Sequence, residues 1–234
     1  MNLNQVMTEL KKLGTAQTAK IYRRHGAGEN LYGVNFANLK VLQKRLKTDQ
    51  ALAEQLWETG NVDARCLATM VADPVKFPDS LAERWINDIS FYMLADLVGG
   101  LVARTPHAGE TMKRWMKSEK EFIRQCGYDI LSSLLAKGNG VPDAECQSYL
   151  MTIEKEIKSS PNRARHAMNN ALIAIGIYKP ELREKAIAAA QRIGKVDVDH
   201  GETSCKTPDA VEYINKAVAH YEKKAATGGK KGRK

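Results

Sequence analysis

Ser80-Leu-Ala-Glu-Arg-Trp-Ile-Asn-Asp-Ile-Ser-Phe-Tyr-Met-Leu-Ala-Asp-Leu-Val98 decides the reading of the fold. Leu81, Trp85 and Ile89 recur every four residues and so share one side of a helix, whereas a half-buried strand would alternate every second residue. The same spacing extends outward, as in Ile123, Ile130 and Leu134, and no alternating pattern persists. The chain is therefore predicted to be all-α. Helix starts are expected where Ser80 precedes Glu83 and Ser118 precedes Glu121, the spacing of a capping box, and where Ser160-Pro161 and Thr207-Pro208 place a cap ahead of a first-turn proline. Stops are expected at Gly60, at Gly138 to Gly140 and at Gly194. Roughly a dozen helices of about 8 to 18 residues result, joined by short loops.

Three segments resemble one another loosely. Leu56-Trp57, Trp85 and Trp115 place tryptophans 28 and 30 residues apart, each followed by another apolar helix. Two readings stand side by side: stacked helical pairs, with one helix of each pair lining a concave surface, or three ordinary core tryptophans.

Composition sets the outer limits. With 234 residues, 43% of them hydrophobic and 27% charged, the chain can build a packed core, which excludes a wholly disordered protein. One domain is expected over 1–222, followed by a low-complexity basic tail over 223–234 that should be disordered. No window approaches eighteen consecutive apolar residues, and Met1 to Lys12 reads as an amphipathic helix, so a cytoplasmic protein without a membrane span is expected. Cys66, Cys126, Cys146 and Cys205 are too widely spaced for a disulfide framework, and reduced, mostly buried thiols are the default. The formal charge is +9, but six positive charges fall between Lys223 and Lys234; the 30 basic residues left against 27 acidic ones give the body only +3. A polyanionic partner such as nucleic acid suits this balance, and membrane or ribosome contact fits the same arithmetic.

Few catalytic patterns are available. No GxSxG or GxxxxGK[ST] occurs, which removes the hydrolases and nucleotidases built on those motifs. The five histidines never pair at i, i+4, so a zinc site is not expected. Asp197, Asp199, His200, Glu202 and Cys205 crowd nine residues that could either bind a metal or form a polar loop ending in a helix cap. Asp96 carries more information: it lies among apolar residues expected to bury its helix on most of its circumference, with Tyr92 one turn earlier on the same face. A buried carboxylate requires a partner, a water-lined cleft or a cationic ligand.

The stretch from about Tyr32 to Tyr178 resembles the bacterial DNA alkylation-repair glycosylases of the AlkD type, which are built from HEAT-like helical repeats. The resemblance rests on Tyr32-Gly33-Val34, on Leu56-Trp57 followed by Asp63-Ala-Arg65, on the segment from Ile89 to Asp96, and on Trp115 with Ser118 leading to Phe122-Ile-Arg124. Arg165-His-Ala-Met-Asn-Asn170 and the stretch from Gly201 to Ala210 look like a branch of the wider group. The resemblance implies a right-handed superhelical stack of antiparallel helical pairs with a concave basic groove. It also implies a monomer that needs no cofactor and acts on alkylated double-stranded DNA, hydrolysing the N-glycosidic bond of cationic N3- or N7-alkylpurines.

Carried over residue by residue, Asp96 takes the catalytic position and Tyr92 the aromatic position before it, where the family usually has Trp. Arg124 matches a family arginine, Gln125 stands where a second arginine would fall, and no aromatic occupies the neighbourhood of Asn170. Arg163 and Arg165, which open the Pro161 helix, would grip phosphates together with Arg124, and His166, Asn169 and Asn170 would contact backbone or base. A scaffold that binds nucleic acid or protein without catalysis, in which Asp96 is a satisfied helix residue, is the alternative.

Overall fold

The computed structural model describes residues 1–138 and 140–228. Among the described residues every regular element is helical: α1 Leu3–Leu13, α2 Ala16–Arg24, α3 Phe36–Leu46, α4 Gln50–Glu58, α5 Val62–Val71, α6 Asp79–Asn87, α7 Tyr92–Val102, α8 Ala108–Trp115, α9 Glu121–Ala136, α10 Asp143–Glu156, α11 Asn162–Tyr178, α12 Arg183–Ile193 and α13 Ala210–Gly228, with a 3-10 turn at Pro180–Leu182. Among the described residues no helix is long and apolar enough to cross a membrane. The chain forms two compact units: Met1–Ile130 with Asp199–Cys205, and Leu131–Val198 with the described residues from Lys206 on. Of the expected tail, residues 223–228 lie within α13, and 229–234 fall outside the described residues.

In the first unit the tryptophan spacing marks both a repeat and a core. Trp57, Trp85 and Trp115 close the first helices of the pairs α4/α5, α6/α7 and α8/α9, and all three are at most 1% exposed. The Trp57 and Trp85 rings stack with centroids 4.1 Å apart and 4° between planes, and Phe77 meets Trp85 edge-on at 4.8 Å. Offset stacked pairs of this kind add about 0.5–1.5 kcal/mol each to the burial of their area. Gly127 permits α9 to cross the end of α8, because a Cβ there would lie 2.4 Å from the Met116 backbone nitrogen.

The irregular segment between α2 and α3 is held by one buried side chain. Asp63, in the first turn of α5, is fully buried, and its carboxylate accepts from the backbone N–H groups of Tyr32, Gly33 and Val34 at 2.5, 3.0 and 2.7 Å. Gly33 makes this approach possible: its φ is +79°, and a Cβ would lie 2.4 Å from the Ala19 nitrogen.

The second unit is built around α11, which packs on α10, α12 and α13. Ala164, Ala167, Ala171 and Ala174 leave room for neighbouring helices, and at Gly176 a Cβ would clash with Ile214 of α13 at 2.5 Å.

The helix starts depart from expectation in an instructive way. Ser80 lies inside α6, whose N-cap is Pro78, and Pro161 rather than Ser160 caps α11; neither proline offers a side-chain hydrogen bond. Pro142 does the same for α10. A proline held near φ −65° with extended ψ directs the chain into a helix without a capping oxygen. Ser160 instead donates its hydroxyl to the Glu156 carbonyl, and at α13 it is Asp209, not Thr207, that accepts from the Glu212 N–H.

Candidate functional site

Helix α7 starts at Tyr92 and buries Leu94, Ala95, Val98, Gly99, Leu101 and Val102. Asp96 lies on the remaining strip and is exposed, so the expectation that apolar packing encloses it is corrected: the buried arc of α7 is wide, but Asp96 falls outside it. Its carboxylate is nevertheless anchored. Gln125, only 3% exposed, donates from Nε2 to Asp96 Oδ1 at 2.6 Å and to the Tyr92 carbonyl at 3.2 Å. Both partners are acceptors, which fixes the amide orientation, and Gln125 Oε1 is left buried without a hydrogen-bond partner among the described residues. A neutral amide therefore holds the carboxylate from the side where the family pattern has an arginine. The position was noticed in the sequence as a departure, but its role as an anchor was not.

Tyr92 is half-buried, and its hydroxyl meets His25 Nδ1 at 2.6 Å, with the rings edge to face and their centroids 5.5 Å apart. His25 ends α2, and sequence reasoning gave it no role because its partner lies 67 residues away. The loop at Asp199–Cys205 belongs to the same unit. Its Glu202 lies 3.8 Å from Arg24, and a Cβ on Gly201 would stand 3.3 Å from the Arg24 carbonyl. Within it Asp199 Oδ1 accepts from the Gly201 N–H, and Asp197 just before the loop pairs with Lys195 at 2.6 Å. Among the described residues no three His, Cys, Asp or Glu side chains gather as a metal site.

The arginines do something the sequence reading did not foresee. Arg124 is half-buried and donates from Nε to the Ser118 carbonyl at 2.7 Å. Arg165 donates to the Ser160 carbonyl at 3.0 Å and to the Asp197 carbonyl at 2.7 Å. Arg65 donates to the Trp57 carbonyl at 3.1 Å and lies over the Trp57 ring at 5.0 Å. Each is the fourth residue of its helix, α9, α11 and α5 respectively, and each reaches back to a carbonyl in the last turn of the helix before it or in the loop just after that helix. A guanidinium suits carbonyls at and just past a helix C-terminus in hydrogen bonding and in sign. In α7 the fourth position is Ala95, followed by Asp96.

The site residues predicted from the sequence thus fall into two groups. Tyr92, Asp96 and Arg124 belong to the first unit; Arg163, Arg165, His166, Asn169 and Asn170 lie on α11 in the second. Asn169 is 2% exposed and donates to the Pro208 carbonyl at 3.0 Å, which ties α11 to the start of α13. Arg163, His166 and Asn170 are half-buried.

Comparison with known proteins gives a consistent picture. Residues 6–214 match the family model described as DNA alkylation repair enzyme. The chain is 35% identical over 225 residues to the uncharacterized protein Lin0241 of Listeria innocua serovar 6a, covering 93% of this chain and 97% of that protein. It is 33% identical, with the same coverage, to the uncharacterized protein Lmo0209 of Listeria monocytogenes serovar 1/2a. A solved structure described as "A new family of proteins related to the HEAT-like repeat DNA glycosylases with affinity for branched DNA structures" superposes with a TM-score of 0.87 at 33% identity, over 94% of this chain and 95% of that one.

Proposed function

The chain belongs to the DNA alkylation repair enzyme family, and on that premise we propose that it is a DNA-binding protein of DNA repair that holds DNA through backbone charge and shape and prefers branched or deformed forms. The observation that carries this reading is its 33% identity, along 94% of its length, to a structural relative with affinity for branched DNA. The +9 formal charge supports it, since phosphate neutralisation supplies most of sequence-independent affinity. The aromatic positions add a further argument: Tyr92 has its hydroxyl engaged by His25, and position 170 is Asn. A snug aromatic pocket that repays a few kcal/mol of lost stacking is not what these residues offer, whereas a bent or branched duplex has already lost that stacking. In a competition experiment, unlabelled linear duplex should displace a labelled three-way junction only at a large excess. Displacement at equimolar concentration would contradict the reading.

A finer reading is favoured by Asp96, an exposed carboxylate on a helix otherwise buried along much of its surface and anchored by a buried amide. Here the protein hydrolyses the N-glycosidic bond of cationic N3- or N7-alkylated purines. The alkylated base carries a positive charge and leaves as a neutral purine when the C–N bond breaks, so little acid assistance is needed. The barrier lies in the positive charge that develops on the deoxyribose. The Asp96 carboxylate would stabilise that charge and orient water for attack on the anomeric carbon, and the water would give up its proton to solvent. Gln125 holds Oδ1 in place, which limits reorganisation as the charge develops. Chromatography of bases released from randomly methylated duplex tests this: Asp96→Asn should cut release by about 100-fold or more, the usual loss for one electrostatic stabiliser. Equal release by both proteins, or none by the wild type, would leave DNA binding without catalysis.

A further inference from the structure

A groove remote in sequence from Asp96 runs along α13 where it lies against the end of α11. Its volume is about 600 Å³, within the range of ligand sites. Tyr178, Tyr213, Tyr221, His220, Lys216 and Glu212 line it, all within the second unit. Tyr213, Lys216 and His220 follow one another at spacings of three and four along α13, which places them on one face of the helix, and Tyr221 stands at its border. Three features distinguish this face from ordinary surface.

Tyr213 and Tyr221 are 51% and 48% exposed, so two large aromatic faces remain in water. Tyr221 is braced from two sides: its hydroxyl meets that of Tyr178 at 3.3 Å with ring centroids 6.3 Å apart, and His220 meets its ring edge to face at 5.9 Å. The hydroxyl contact, together with burial, holds the Tyr178 phenol up at about 12. The groove wall carries charge of both signs, with Glu212 near the start of α13 and Lys216 one turn on. Asp209, the other acid of the wall, is engaged in capping the Glu212 N–H.

Aromatic faces, a carboxylate acceptor and an ammonium group between the two exposed tyrosines match the parts of an unpaired strand: bases to stack, an exocyclic amino group to donate, and a phosphate to neutralise. We propose that this α11/α13 groove binds unpaired nucleotides of DNA, with bases stacked on Tyr213 and Tyr221, an amino edge toward Glu212 and the intervening phosphate toward Lys216. The proposal rests on the DNA-binding reading and deepens it, because branch points are where duplex DNA presents unstacked bases. Base stacking on aromatic side chains tolerates any sequence, so the groove selects first for an unpaired base, and Glu212 favours those that carry an exocyclic amino group over thymine.

The test uses the full chain and two three-way junctions, one fully paired and one carrying two unpaired nucleotides at the branch, of which one is 2-aminopurine. Wild-type protein should quench the 2-aminopurine and bind the unpaired junction about tenfold or more tightly than the paired one, as expected for one stacked base. The double variant Tyr213→Ala/Tyr221→Ala should lose both effects and keep its affinity for the paired junction. Tyr213→Phe/Tyr221→Phe should retain both effects, and helicity measured by circular dichroism checks that all variants fold. Unaltered quenching and an unaltered affinity ratio in the double alanine variant would overturn the groove assignment. Failure of the wild type to bind either junction would instead overturn the DNA-binding reading on which it rests.

Discussion

Asp63 and Asp96 carry the same carboxylate in opposite circumstances, and the difference governs what each can do. Asp63 is fully buried and satisfied by three backbone N–H groups, so removing its charge leaves those donors without an anionic partner in a low dielectric. Asp63→Asn should therefore cost about 3 kcal/mol, since each hydrogen bond to a charged group is worth about 1.5–3 kcal/mol. Thermal unfolding should show Tm lowered by roughly 6–12 °C. Asp96→Asn should change stability by no more than about 0.5 kcal/mol, because the side chain is exposed. The sequence distinguished the two poorly. Asp96 stands out in an apolar run, and only the breadth of the buried arc on α7 shows that it faces water. Asp63 sits in a mixed stretch, and its partners lie about thirty residues earlier in a segment without helical periodicity. His25 and Gln125 were hidden for the same reason, since a contact across 67 or 29 residues leaves no local pattern.

At the scale of helices, the arginines at the fourth positions of α5, α9 and α11 act as ties between consecutive elements. Arg165 bonds two backbone carbonyls, so Arg165→Ala should lower the unfolding free energy in urea by about 2 kcal/mol. Arg165→Lys should recover little, because an ammonium point charge cannot reach both carbonyls in a fixed fork. A residue that only gripped phosphate would leave stability unchanged when replaced.

A second tie joins α6 to α8, where Arg114 donates to Asp79 at 2.8 Å and to Glu83 at 2.7 Å, and Thr111 donates to Asp79 at 2.7 Å. Burial acts to raise the Asp79 pKa, but the hydrogen bonds from Thr111 and Arg114 and the charges of Arg114 and His107 outweigh it and hold the carboxyl below its ordinary value. A depressed carboxylate contributes stability above its unfolded pKa and loses it as pH falls through the folded one. The stability difference between wild type and Asp79→Asn should therefore be largest near neutrality and shrink below about pH 4. The helices themselves were legible from apolar spacing, and the starts were less so. Pro78, Pro142 and Pro161 cap by their own backbone angles, and sequence patterns for capping oxygens are blind to that.

Over the whole molecule, repetition and charge were the readable features. Tryptophans 28 and 30 residues apart gave the pairing of α4 to α9, because each pair must bury the same kind of face against its neighbour. The division into two units was not visible, since the loop that returns to the first unit comes from beyond α12 and no composition shift marks it. Lys230, Lys231, Arg233 and Lys234 place four of the net positive charges in the last six residues. Deleting 229–234 should reduce the slope of log affinity against log salt by up to about 3.6 if all four meet phosphates, at about 0.9 per neutralised phosphate. Preference between DNA shapes should be unaffected, because the charge removed acts on the phosphates common to every DNA form.

DNA binding that favours branched forms is tested most directly by fluorescence anisotropy of the full chain titrated into a four-way junction and into a linear duplex of equal length and composition, between about 50 and 200 mM salt. The junction should bind more tightly at every salt concentration, and both affinities should fall steeply as salt rises. Equal affinity for the two forms, or affinity that does not respond to salt, would contradict recognition by backbone charge and shape.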